Sequence, residues 1–444
     1  MRDGCRWLPV LVVAAALLGV VGATAAEELA NGQVLDKASW EKAKGLLPDE
    51  ILRHYKDGEY INKVVDWPQD HYTFPTDLKA ASVANEGKYA TSPEGTVIDK
   101  STGQQPPFVF GHPFPTIDPA DPAAGAKILW NFFYRTWYFG NMRSQSQINW
   151  VGPTGLERRA DVDVRFAYYD GVPPDERPAE NPENFLYRQL SFVTGPADLN
   201  GTASLTWRYR EGKKRDSTWA YVPALRRVRA TSPANRSDGF LGSDESPDDG
   251  PFFDGKVEDF DWKLVGDTDQ LRISEETNLQ GKTEVKWVDG LGWDTAWPDI
   301  AYIGYQDPKW KGVAWAPVGA ATLSKRRFYV IEGVPHDKYY LYGKLQLYID
   351  KTSFQGAWNR KFGWRGELLA IHQVMGWNPI AHKRPNGRED FLQGGNQAFQ
   401  CIENVKLNRA TVAGIKSSPT AVFASRVKFD ERVFDVDALS RQGK

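Results

Sequence analysis

The run Leu205-Thr206-Trp207-Arg208-Tyr209-Arg210, followed by Glu211-Gly212 and answered by Ser217-Thr218-Trp219-Ala220-Tyr221-Val222, decides the fold class of this chain. Apolar and polar side chains alternate with a period of two, the mark of a strand with one buried face. Glu211-Gly212 opens the turn that folds the second run back on the first, and Trp219 and Tyr221 share one face of it. Further strands are expected at 163–169, 186–193, 262–265, 328–332, 339–350, 367–374 and 400–408. Short turns between neighbours favour an antiparallel meander, and no alternation of strands with long helices points to a parallel sheet. The expected fold is therefore mainly β (α+β): a large curved antiparallel sheet forming a half-open barrel, with helices on or in its concave side.

Ahead of the strands the pattern is helical. Trp40, Ala43, Leu46 and Leu47 recur at near-helical spacing, Pro48 breaks the run, and Ile51, Leu52 and Tyr55 form the face of a second short helix that Gly58 closes. Residues 66–122 are rich in Pro, Gly and Asp and are expected to lie extended over the domain or along its rim. From Pro122 to Arg143 the wide apolar face of Ile128, Leu129, Phe132, Phe133, Trp137 and Tyr138 predicts a mostly buried helix.

The first residues read as an export signal. Arg2 and Arg6 precede an apolar run from Leu8 to Val21, and Ala23-Thr24-Ala25 is a small-residue cleavage site, placing the cut near Ala25 or Ala26. That apolar run is shorter than the roughly 20 residues a spanning helix needs, so no transmembrane segment is expected in the mature chain. The expected divisions are a signal peptide over 1–26, N-terminal helices and an extended segment over 27–122, the sheet domain with a helical lid over 123–430, and a tail over 431–444. Of the 2 cysteines, Cys5 leaves with the signal, so Cys401 is alone and is read as a small buried hydrophobe. With 55 basic and 57 acidic residues, a net charge of -2 gives no reason to expect nucleic acid. The excess lies in 17 Trp, 18 Tyr and 22 Phe against 3 Met, which fits either a wide sheet core or a groove for apolar ligands.

After the hairpin come Tyr221-Val222-Pro223-Ala224-Leu225-Arg226-Arg227-Val228-Arg229, then Gly242-Ser243-Asp244 and Asp248-Asp249. This Y-x-P-x-x-R-R-V-R run with its G-S-D resembles the periplasmic domain-of-unknown-function 1329 family, which is similar in fold to the bacterial lipoprotein carriers of the outer-membrane sorting pathway. Gly111-His112-Pro113-Phe114-Pro115 with Ala126-Lys127-Ile128-Leu129-Trp130-Asn131 resembles the same family's G-x-P-F-P and K-x-x-W-N segments. Leu347-Tyr348-Ile349-Asp350-Lys351-Thr352-Ser353-Phe354 resembles the late strand and turn of the carriers. The resemblance spans most of the mature chain and implies a concave face used for lipid chains. It also implies a setting beside resistance-nodulation-division type inner-membrane transporters and an outer-membrane partner.

Trp207, Tyr209, Trp219 and Tyr221 are the expected sheet side of a cavity, and Phe132, Phe133, Trp137 and Tyr138 its helical lid. Arg226, Arg227 and Arg229 present guanidinium forks suited to an anionic head group; the preferred reading is an internal network with Asp244, Asp248 and Asp249. As a calcium loop, 244–250 lacks EF-hand spacing, and adjacent acids in one loop seldom flank a glycosidic bond. His112, His336, His372 and His382 sit in no H-E-x-x-H, no G-x-S-x-G occurs, and Gly281-Lys282-Thr283 lacks the first glycine of a phosphate loop. No metal, cofactor or catalytic role is assigned. The sequence favours a periplasmic carrier of a hydrophobic small molecule or lipid over an enzyme. The alternatives are an interaction subunit of an envelope transporter that holds no ligand, or a hydrolase with a Trp-rich groove.

Overall fold

A computed structural model describes residues 29–66, 74–232, 236–250, 252–275, 284–296, 321–376, 380–392, 397–415 and 422–442. The expected export signal and Gly281-Lys282-Thr283 lie outside them. The strands are β1 (Val34–Leu35), β2 (Asn62–Val64), β3 (Tyr89–Thr91), β4 (Val97–Asp99), β5 (Met142–Gly152), β6 (Gly155–Tyr168), β7 (Phe185–Gly195), β8 (Ala203–Tyr209), β9 (Ser217–Val222), β10 (Arg227–Thr231) and β11 (Phe260–Glu275). After them come β12 (Glu284–Val288), β13 (Gly292–Ala296), β14 (Ala321–Pro335), β15 (Lys344–Asp350), β16 (Gly356–Phe362), β17 (Leu368–Gly376), β18 (Ile380–Lys383), β19 (Glu389–Leu392), β20 (Gln397–Asn404), β21 (Arg409–Ile415) and β22 (Phe423–Ser425). Among the described residues, four α-helices accompany them: α1 (Asp49–Asp57), α2 (Thr76–Ala84), α3 (Ala124–Trp137) and α4 (Val436–Gln442).

The main sheet runs from β10 through β9, β8, β7, β6 and β5 to β21, then through β20, β17, β16, β15 and β14 to β11, each step antiparallel. It is an unclosed, curved, mainly antiparallel sheet, as the alternation of residues 205–222 predicts. Two short parallel contacts make it mixed. β15 pairs with β14 only from Phe328 onward, so the start of β14 is free to take β2 at Thr322 and Leu323, and Ser274 of β11 meets Gly376 of β17. Register shifts at Trp150/Val151, Asp161/Val162, Leu264/Gly266 and Lys361/Phe362 put extra residues into one strand of a pair, which bends it and sharpens its twist.

Helix α3 fills the inner face. Every one of its residues except Lys127 is buried, the expectation for a helix apolar all round. Phe132, Phe133 and Trp137 pack with Phe166 and Tyr187 from one arm of the sheet and with Trp262, Ile331 and Leu347 from the other. Two of its polar side chains hold backbone groups of the chain that precedes it. Asn131 brackets the backbone of Phe114, accepting from its N–H at 3.1 Å and donating to its carbonyl at 2.6 Å, while Trp130 Nε1 donates to the Gly95 carbonyl at 2.7 Å. The two N-terminal motifs are thus one structural device, in which the strap 111–115 is clamped to the helix.

The helix ends sooner than its pattern suggests, and Met142 and Arg143 already belong to β5. The 66–122 stretch, expected to be extended, holds α2 and the β3–β4 hairpin. The run around Trp40 is a short 3-10 turn, and α1 ends on Gly58 at φ 81°, a left-handed conformation that glycine adopts without a Cβ clash. Residues 431–442, expected only as a tail, form a 3-10 turn and α4, which bury Phe434 and Leu439 on the outer face.

Gly125 marks the tightest approach of α3 to the sheet, since a Cβ there would stand 2.8 Å from the Lys263 backbone. Alanine would favour the isolated helix by about 1 kcal/mol, yet overpacking costs about 1–3 kcal/mol. Gly125→Val, which adds β-branching to the same clash, is expected to lower the urea midpoint without changing the slope; an unchanged midpoint contradicts the contact.

Candidate functional site

Strands β5 to β10, one arm of the sheet, and the segment 236–250 enclose a groove on the inner face. Its main part, about 400 Å³, is walled by Val162, Val164, Ser191, Thr206 and Ala220 and roofed by Phe240 and Leu241. It adjoins a second part of about 200 Å³ that reaches Phe166, Tyr168, Ala413 and Phe423. Ile148, Val162, Val164, Gln189, Glu245 and Gly250 border both, so the two form one continuous trough. The space exists because β7, β8 and β9 turn short side chains inward: Ser191, Ser204, Thr206, Thr218 and Ala220 line it.

The period of two that puts those small residues inside puts the expected aromatic wall outside. Trp207, Tyr209 and Tyr221 share the outer face with Leu205 and pack under Phe434 and Leu439. Trp207 Nε1 donates to the Phe434 carbonyl at 2.9 Å, and its ring meets Trp219 edge-on at 4.6 Å between centroids. Of the four, Trp219 alone borders the groove. On α3, Phe132, Phe133 and Trp137 are core, and Tyr138 packs with Leu78 and Phe139 and donates to Asp77 at 2.9 Å, away from the groove. The excess of rings is spent mainly on filling the two faces around the sheet.

The charged motif also divides differently. Arg227 and Arg229 are exposed on the outermost strand and Arg226 on the turn that leads into it, and the expected pairing with Asp244, Asp248 and Asp249 does not form. Those acids have other cations. Asp248 accepts from Arg236 Nε at 2.5 Å and from the Tyr340 hydroxyl at 3.0 Å. Asp244 pairs with Arg409 at 3.0 Å, and Asp249 pairs with Lys361 while capping Ser246 N–H at 2.8 Å. Arg236 reaches further, to Asp216 at 3.1 Å and to the Asp254 carbonyl at 2.9 Å, and Arg208 joins the same two residues. Closeness in sequence misled here because β10 turns its arginines along a free edge, whereas the later Arg236 enters the interior.

Burial would lift the Asp249 carboxyl, but the Lys361 ammonium, and after it His372, hold it below the ordinary carboxylate range. Lys361 is held up by the same contact against the opposing effect of burial. His372 stays neutral, burial lowering it to about 4. Its Nε2 meets Gln400 Oε1 at 3.1 Å, and Gln400 donates to Glu245 Oε1. Glu245 goes the other way: burial, then the neighbouring Asp249, raise it to about 8 against the Gln400 hydrogen bond and Lys361. His112 is buried against Ser82, while exposed His336 pairs with Asp261. The His382 ring lies tilted against Trp293 at 5.7 Å between centroids, and buried Cys401 belongs to the core around Trp358.

Two outcomes follow. Lys361 and Asp249 are both sealed from solvent, so Lys361→Met, which strands the carboxylate, should cost about 3–5 kcal/mol in denaturant unfolding, and the double variant with Asp249→Asn should recover most of it. Glu245 carries its proton in the folded state at pH values where the unfolded chain has lost it, so its contribution is whole below pH 4.5 and is lost as pH rises through about 8. Glu245→Gln should therefore gain in melting temperature over the parent as pH rises across that window, and a constant difference contradicts a protonated Glu245.

The model of the family described as "Protein of unknown function (DUF1329)" matches residues 34–301. No curated protein matches the chain. Among solved structures, a candidate outer membrane lipoprotein-sorting protein domain from Vibrio parahaemolyticus is 15% identical, covers 72% of this chain and 100% of its own, and superposes with a TM-score of 0.46. A DUF1329 family protein from Desulfovibrio piger is 16% identical over 72% and 99% of the two chains, with a TM-score of 0.45. A LolA superfamily protein from Nitrosomonas europaea is 12% identical over 70% and 98%, with a TM-score of 0.38. With more than half of its length matched by the family model, including the clamped strap, the α3 motif and the segment from Tyr221 to Asp249, this chain belongs to the DUF1329 family.

Proposed function

We propose that this protein is a carrier that holds a hydrophobic or lipid-like ligand in the inner-face groove. The observation that carries the reading is the trough itself, about 400 Å³ continued by about 200 Å³, bordered by Ile148, Val162, Val164 and Phe166. Small-molecule sites span roughly 300–1,000 Å³ and are mostly apolar with a few placed polar groups. Each methylene moved from water into such a site contributes about 0.8 kcal/mol, so a short alkyl chain supplies enough binding energy without any charged contact. Binding rather than catalysis also suits Asp244, Asp248 and Asp249, each of which is occupied by a cation of the protein itself.

The export signal expected from Arg2, Arg6 and the apolar run after them supports a periplasmic setting for the carrier, and family membership suggests hand-over between an inner-membrane transporter of the resistance-nodulation-division type and an outer-membrane protein. No helix among the described residues is long and apolar enough to cross a membrane.

Native mass spectrometry of protein purified from the periplasm tests the reading. The parent should carry a lipid-sized adduct, and Val164→Trp, which fills the trough from β6, should lose it while its circular dichroism is unchanged. Trp207→Ala, on the other face, should lower the melting temperature and keep the adduct. A parent without adduct that also fails to bind the neutral dye N-phenyl-1-naphthylamine removes the proposal.

A further inference from the structure

Glu245 stands where the two parts of the trough meet, and its carboxyl is half satisfied. Oε1 accepts from Gln400 Nε2, whereas Oε2 is shut off from solvent and has no hydrogen-bond partner among the described residues. Gln400 offers it nothing further, because its own oxygen is engaged by His372. The charged and titratable groups facing Glu245 are Asp249 on its own segment, Lys361 from β16 and His372 from β17. Lys361 is committed to Asp249, and His372 Nδ1 stands 3.9 Å from the same carboxylate. Arg236 and Asp238 border the trough further along, and Arg236 is bound to Asp248. Among the described residues no cation is left to pair with an ionised Glu245, in keeping with a carboxyl raised to about 8. At neutral pH, then, Glu245 carries a buried carboxylic O–H without an acceptor beside the trough that its side chain borders, and a buried unmade hydrogen bond costs about 1–3 kcal/mol.

We propose that the trough selects hydrophobic molecules bearing a carbonyl, ester or ether oxygen at the level of Glu245, which donates its carboxyl hydrogen to that oxygen. The inference rests on the trough being a hydrophobic-ligand site, and it adds the chemical feature by which one apolar ligand is preferred to another. An ionised head group is disfavoured at this point, since the surroundings that keep Glu245 neutral penalise any second anion equally.

Displacement of N-phenyl-1-naphthylamine by 2-decanone and by the hydrocarbon 1-decene tests it. The ratio of the two displacement constants should fall about tenfold in Glu245→Leu, with 1-decene itself unaffected. In the parent it should also fall about tenfold between about pH 7 and pH 9, as the donor ionises. Glu245→Gln, whose amide still donates, should keep the preference for the ketone and lose its pH dependence. A ratio that is the same in parent and Glu245→Leu and constant with pH, while the dye still binds, overturns the role of Glu245 and leaves the groove standing. If Glu245→Leu does not fold, a Glu245→Gln pH profile identical to the parent's overturns it alone. A parent that binds no dye, with Val164→Trp indistinguishable from it, overturns the groove and this inference together.

Discussion

The segment from Arg236 to Gly250 crosses the inner face because ion pairs fasten it there: Asp249 to Lys361, both buried, Arg236 to buried Asp216, and Asp244 to the half-buried Arg409. Everything that distinguishes this molecule from a bent sheet packed on one helix depends on that fastening. Without the segment, the short side chains of β7, β8 and β9 would face open water, and there would be no roof, no enclosed volume and no dry surroundings for Glu245. Buried ion pairs add little to stability compared with apolar residues of the same size, but they require one geometry, since a carboxylate left without its cation is costly. The arrangement therefore fixes where the segment lies more than how strongly it is held.

The fold class was readable from residues 205–222 because one face of those strands is buried and the other is not, so the period of two appears undisguised. The same holds for α3, whose apolar residues run all the way round, and for the α1 terminus at Gly58. Other elements were hidden for identifiable reasons. β5 begins directly after α3 with only a few residues between them, so the helical pattern seemed to run on through Met142 and Arg143. In the stretch before Pro122, frequent Pro and Gly mask α2, whose faces differ little in polarity. The two parallel contacts arise from tertiary placement of β2 and from the curl of β11, neither of which leaves a local trace.

The groove was the harder matter. Rings were the natural candidates for a ligand wall, and they were found in the right strands but on the wrong face. A strand with large residues at alternate positions carries its small residues at the others, and it is the small ones, Ser204, Thr206 and Thr218, that leave a hollow. The positions were therefore present in the sequence, in the gaps between the conspicuous residues. Arg236 and Lys361 were illegible in a different sense. Their partners are 12 and 112 residues away, and no local pattern marks which of many basic side chains will meet an acid in the interior.

β10 is the last strand of its arm, and among the described residues nothing pairs with its far side. An unsatisfied row of backbone donors and acceptors invites another chain to extend the sheet. The three arginines at 226, 227 and 229 stand along that border, so a like strand approaching it would bring positive charge against positive charge. The guanidinium fence thus lets an oversized sheet end where it does, as a rim and not as the first rung of an aggregate.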